Sequence, residues 1–203
     1  FVHDLMRFAT EYAKRVGDTQ ALHARYVAAL TIELQAIEPG SRLAQLYVGG
    51  GTPTTLAPAR LDTVLAAVLD RTQPHGDDVH TVECSPESLT PEHLGVLRDR
   101  GIGRVSMGVQ SLSDGVLETV HRRHDRETSL SAIDRLVGAG LIVNVDLIFG
   151  LPGQTEADFC RDLEDVVARS VVLNQADTIE PDMLSLDAMG HSPTGERLPY
   201  FSR

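Results

Sequence analysis

LYVGGGTPTTLAPARLDTVLAAVL, residues 46–69, passes from an apolar run through three glycines into a helical pattern, and that order decides the fold. The apolar residues over 43–48 predict a strand, Gly49, Gly50 and Gly51 predict a loop, and Leu61, Val64, Leu65, Val68 and Leu69 line one face of a helix. The unit recurs. Residues 79–83, 105–109 and 141–148 predict further strands, with a weaker one over 171–180. Helices fall between them. Thr90 and Pro91 supply an N-cap hydroxyl and a pre-set first residue ahead of Leu94 and Leu97. Ser113 caps a short helix bearing Val116, Leu117 and Val120, and Leu130, Ile133, Leu136 and Val137 form a stripe that Gly138 and Gly140 terminate. Thr155 with Asp158 makes a short-sided capping box before Phe159, Leu163, Val166 and Val167. Upstream, Leu22, Tyr26, Leu30, Leu34 and Ile37 share one helical face that Pro39 and Gly40 bring to an end.

Strands separated by helices imply parallel pairing and an α/β class. Two architectures fit, a (β/α) barrel or part of one and an open doubly wound sheet. Glycine or polar residues stand at the C-terminal end of nearly every strand: Gly49 to Thr52, Glu83, Gln110 and Asp146. Barrels gather their sites from many strand ends, whereas an open sheet uses one switch point, so the pattern favours the barrel. Glu83 and Asp146 also interrupt apolar runs, where an unsatisfied group costs about 1–3 kcal/mol.

The chain has 203 residues, enough for one domain with a real core, and a net charge of -11. That charge argues against a general nucleic-acid surface, although Arg122, Arg123, His124 and Arg126 form a local basic patch or a solvated helix start. Apolar runs fall short of a membrane span and nothing at Phe1 resembles a secretory leader, so the expectation is a cytoplasmic protein that does not engage membranes. Cys84 and Cys160 are too few for a disulfide framework or a four-cysteine metal site, and both read as small buried hydrophobes.

Three successive glycines let backbone N–H and C=O groups approach a small charged ligand, or simply make a tight turn. The loop lacks the Lys-Ser/Thr of a P-loop and the alternate glycines of a dinucleotide site.

Taken together, GGGTP, VECSP, RVSMGVQS, the Arg122–His124 segment and VDLIFGLPGQT resemble the radical S-adenosylmethionine (SAM) core of the oxygen-independent coproporphyrinogen III oxidase family, which includes heme chaperones and natural-product methyltransferases. The resemblance implies a partial (β/α)6 barrel over residues 1–173, with SAM across the strand ends. Gly49, Gly50 and Gly51, with Thr52 beside them, would hold the methionine amino group. Glu83 and Gln110 would stand at the next strand ends, Arg122 would pair with the methionine carboxylate, and Asp146 would contact the ribose side. Alternatives stay open residue by residue: Gln110 closing a loop, Arg122 serving a carboxylate of its own chain, His124 packing or reaching solvent, Pro152 and Gly153 setting a turn beside an exposed Gln154.

Members of the family carry CxxxCxxC for a [4Fe-4S] cluster, and this sequence holds no such triplet. Phe1 and the residues behind it resemble the stretch that follows the last cluster cysteine, so the first strand and cluster loop are expected upstream. The activity implied is generation of a 5'-deoxyadenosyl radical with electrons from a cellular donor, used to methylate a natural-product substrate. VECSPESLTP and VHRRHD lean towards that branch. The alternatives are a coproporphyrinogen III oxidase or heme chaperone, and a clusterless SAM-binding or partner-binding barrel. Residues 174–203, rich in Pro and Gly, read as a turn-rich tail, lid or linker.

Overall fold

The computed structural model describes residues 19–75 and 79–174. Its strands are β1 (Ser41–Leu43), β2 (Tyr47–Val48), β3 (Thr72–Pro74), β4 (Thr81–Cys84), β5 (Arg104–Gln110) and β6 (Ile142–Leu147). Its helices are α1 (Thr19–Leu34), α2 (Pro58–Leu69), α3 (Pro91–Asp99), α4 (Asp114–Thr119), α5 (Arg126–Gly138) and α6 (Glu156–Asn174). Four strands form one parallel sheet in the order β2, β4, β5, β6, each joined to the next through a helical crossover. Every new strand is therefore added on the same side of the last. A doubly wound sheet reverses that order at its switch point, so the architecture is a partial TIM-like barrel.

Alternation divides the sheet into two unlike faces. Val82, Cys84, Val105, Met107 and Val109 are buried on one face, with Val48, Val143, Val145 and Leu147 packed against them. Helices supply the opposing layer through Leu61 and Leu65 of α2, Leu97 of α3 and Leu136 of α5, all fully buried. The strand register places Tyr47 beside Thr81, Glu83 beside Ser106, and Gly108 beside Asp146 on the opposite, polar face.

Local chemistry sets the helix ends. Pro58 and Pro91 open α2 and α3. Thr90 forms a reciprocal capping box with His93, whose second ring nitrogen bonds the Leu56 carbonyl at 2.8 Å and so ties α3 to the segment after the glycines. Asp125 caps α5 by accepting from Thr128 N–H at 2.8 Å, and Thr155 with Asp158 closes the expected box ahead of α6.

Several expectations need correction. The strand expected over 43–48 is two strands, because the chain bends at Ala44 and sends β1 into a separate pair with β3. Strand β3 escaped notice since Pro74 argues against a strand, although an edge tolerates it. Residues 171–174 are helix rather than strand and continue α6. Helix α1 stops at Leu34, and residues 35–37 continue as three-residue turns. Ser113 occupies the N-cap position of α4 but its side chain makes no capping bond. Cys84 is buried as expected, while Cys160 is exposed. Phe1, the stretch behind it and residues 175–203 of the proposed tail lie outside the described residues. Among the described residues no helix is long and apolar enough to cross a membrane.

Candidate functional site

The glycine loop is built around Glu83. From β4 its carboxylate accepts the Tyr47 hydroxyl at 2.8 Å and the Gly50 N–H at 3.0 Å. Gly50 has φ +89°, a conformation that favours glycine. Gly49 is required for a different reason, since a Cβ there would sit 2.5 Å from the Glu83 carboxyl carbon and 2.7 Å from the Tyr47 ring. Burial and the bond to Glu83 push the Tyr47 phenol up to about 12, so it remains a donor at neutral pH. Gly51 is exposed, and Thr52 serves its own turn by accepting from Thr55 N–H at 2.8 Å.

Two strands away, the end of β5 is irregular. The register against β6 slips between Gly108 and Gln110, and Gln110 adopts φ +71°. That turn carries its side chain back over Gly108, where its amide nitrogen lies 2.8 Å from the position of an added Cβ. Arg122 arrives at the same place and donates to the Gly108 carbonyl at 3.0 Å, while its Nε is buried without a hydrogen-bond partner. Beside them, Ser106 donates to Asp146 at 2.9 Å. Glu83 and Asp146 stand on strands two steps apart, hence about 10 Å from each other.

Two buried groups support this end of the sheet. His124 has both ring nitrogens against acceptors, the Glu87 carboxylate at 2.9 Å and the Val109 carbonyl at 3.0 Å. Asp162 of α6, 2% exposed, accepts the Ser111 hydroxyl at 2.7 Å and the Leu112 N–H at 2.9 Å. Burial works to raise the Glu87 carboxyl, but the hydrogen bond and charge of His124, with the Glu87 N–H and the Ser85 hydroxyl, outweigh it and hold the group at about 2. Because that value lies below the ordinary 4.5, the stabilisation is complete above about pH 4.5 and is lost as pH falls towards about 2. Glu87→Gln is therefore expected to flatten the acid limb of the stability profile, at a loss of about 1 kcal/mol near neutrality. Urea unfolding at several pH values from 7 to 3 checks this; equal acid slopes for both proteins contradict it.

The structure thus brings Gly49, Gly50 and Glu83 into one contact set, and Gln110 and Arg122 into another over Gly108. Asp146 joins from the neighbouring strand. The burial expected of both carboxylates needs correction: Asp146 is exposed and Glu83 is half-buried and bonded within the chain, because both face away from the helices. His124 neither reaches solvent nor merely packs. Gln154 is not a bystander, since its side-chain oxygen accepts from Gly150 and Leu151 N–H at 2.8 and 3.2 Å, while Gly153, at φ +80°, turns the chain as expected. Sequence reasoning missed Gly108, Glu87 and Asp162. An isolated glycine inside a strand and a carboxylate on the apolar stripe of α6 were the available signals.

Residues 12–166 match the family model of the radical SAM superfamily. The chain belongs to that superfamily. Among its relatives, a heme chaperone HemW of Lactococcus lactis subsp. lactis is 33% identical over 155 residues, which are 76% of this chain and 40% of that protein. The solved coproporphyrinogen III oxidase (HemN) from Escherichia coli, a radical SAM enzyme, superposes with a TM-score of 0.64 at 31% identity, covering 73% of this chain and 35% of that one. The radical SAM methyltransferase TsrM from Kitasatospora setae superposes with a TM-score of 0.51 at 15% identity over 76% of this chain and 26% of that one, a likeness of fold. The chain therefore spans well under half the length of these relatives. Among the described residues no group of three or more His, Cys, Asp or Glu side chains is placed to hold a metal ion.

Proposed function

We propose that this chain is the SAM-binding part of a radical SAM protein allied to the coproporphyrinogen III oxidases and heme chaperones, acting on a small molecule. The observation that carries SAM binding is the convergence on one polar sheet face of a glycine loop, a carboxylate and a half-buried arginine whose Nε has no hydrogen-bond partner. A zwitterionic amino acid group needs both acceptors and a cation. Glu83 and the glycine-loop carbonyls would take the ammonium, Arg122 the carboxylate, and Gln110 and Asp146 the hydroxyls of the ribose. Bound SAM supplies a carbon–sulfur bond that is cleaved on one-electron reduction. What the residues here do is bind and orient it. Among the described residues no group of three or more candidate ligands is placed for a [4Fe-4S] cluster, and no step is assigned through one.

The oxidase and chaperone branch is preferred to the natural-product methyltransferase suggested by VECSPESLTP and VHRRHD. Identity to the former reaches 36%, whereas the methyltransferase shares the fold at 15%.

Titration calorimetry of SAM into this chain tests the reading. Arg122→Ala is expected to weaken binding by about tenfold to a hundredfold, the worth of a charge-assisted hydrogen bond. No binding by the unaltered chain sinks the proposal. For the branch, the full-length protein is supplied with coproporphyrinogen, heme and methyl-labelled SAM in turn. Carbon dioxide release or heme binding supports the preferred branch, and label transferred to a product rejects it.

A further inference from the structure

Gln110 is the one candidate ligand-binding residue other than glycine whose backbone lies in the left-handed region, at φ +71°. A side chain with a Cβ holds that conformation only where its surroundings impose it. Here the carbonyls on both sides of the turn are committed. The Val109 carbonyl accepts from Ser111 N–H at 2.9 Å and from the buried His124 ring at 3.0 Å. The Gln110 carbonyl accepts from Ile148 N–H at 2.9 Å, tying it to the end of β6. On the far side Asp162 grips both the Ser111 hydroxyl and the Leu112 N–H, and Ser111, itself fully buried, accepts from Ser113 N–H at 3.1 Å.

Burying a histidine and an aspartate around one strand end, the histidine paired with a partly exposed glutamate, is a poor way to gain stability, because apolar groups of similar volume serve as well or better. It is a good way to define a single backbone geometry. We infer that His124 with Glu87, and Asp162 with Ser111, are positioning residues: two arms of a brace that forces Gln110 into its left-handed turn and thereby sets its amide over Gly108, facing the ligand of the polar face. Gly108 belongs to the same device, since any side chain there would take the space the Gln110 amide occupies. This inference rests on the SAM-binding reading above and adds to it the cause of the site's shape.

A brace makes a prediction that simple structural support does not, namely that its effect on binding disappears when there is no longer an amide to position. The test is a double-substitution cycle on the full chain, reading SAM affinity by calorimetry and stability by thermal melting. Glu87→Gln and Ser111→Ala remove part of each arm while keeping the buried His124 and Asp162, whose own replacement risks loss of folding. Each is expected to weaken SAM binding about fivefold to tenfold at temperatures well below melting. Gln110→Gly alone is expected to weaken SAM binding by about tenfold and to leave the melting temperature unchanged or raise it by about 2 °C, since glycine relieves the strain. In the Gln110→Gly background, Glu87→Gln and Ser111→Ala are expected to cause no further loss of affinity. Equal losses in both backgrounds would show ordinary structural support and overturn the inference, as would a clear fall in melting temperature on Gln110→Gly. Failure of the unaltered chain to bind SAM overturns the functional reading instead, and the melting comparison then judges the strain by itself.

Discussion

Asp162→Ala is expected to lose about 3 kcal/mol of stability, lowering the melting temperature by about 6–12 °C. The substitution leaves two buried donors, the Ser111 hydroxyl and the Leu112 N–H, without their acceptor, and each such group costs about 1–3 kcal/mol. Neither donor has easy access to water, because Ser111 and Leu112 are both buried. Asp162→Asn keeps one oxygen and the volume and is expected to lose about 1 kcal/mol. Urea unfolding with thermal melting measures both. A loss below about 1 kcal/mol for the alanine variant would mean that the loop finds other partners, and that α6 does not secure the end of β5.

A second large effect is expected at Gly49, and it separates binding from folding. An alanine Cβ would stand 2.5 Å from the Glu83 carboxyl and 2.7 Å from the Tyr47 ring, so Glu83 must leave. The obstructing atoms end a flexible side chain on a half-buried face, so the loss of stability is expected to be only about 1 kcal/mol. SAM affinity should nonetheless fall about a hundredfold, since the carboxylate and the Gly50 N–H are parted together. Gly95→Ala is the matching control: it lies within α3 with nothing inside 4 Å of an added Cβ, and should stabilise the chain by up to about 1 kcal/mol without touching binding. Retained affinity in the Gly49 variant would mean that the placement of Glu83 is irrelevant to the ligand.

What could be read from the sequence follows from how far each signal reaches along the chain. The stripes of α2, α3 and α5 are local periodicities, and Leu61, Leu65, Leu97 and Leu136 are buried where those stripes place them. Polar residues at strand ends predicted a barrel, and the sequential order of β2, β4, β5 and β6 bears that out. The pairing of β1 with β3 was illegible, because it depends on a bend at Ala44 and on contacts about 30 residues apart. Of the candidate site, Glu83 and Gln110 were marked by their places at strand ends and Arg122 by motif resemblance, and the structure brings each to the polar face. The direction in which Glu83 and Asp146 point was misjudged, since an apolar run does not reveal which of its two faces is covered. His124, Glu87 and Asp162 act across 15 to 51 positions of sequence, and no local pattern encodes such partnerships.

The two unlike faces of the sheet carry an evolutionary consequence. On β5, Val105, Met107 and Val109 are sealed against the helices and leave little freedom for volume or polarity to vary. On β6, Asn144 and Asp146 are exposed on the other face, so under the SAM-binding reading proposed above mutations there are filtered by ligand chemistry with little penalty in folding. Successive residues of one strand thus evolve under separate selection. A lineage carrying this barrel can explore new small molecules through every second position while the intervening ones keep the scaffold foldable, and saturation mutagenesis of 142–147 should show that alternation directly.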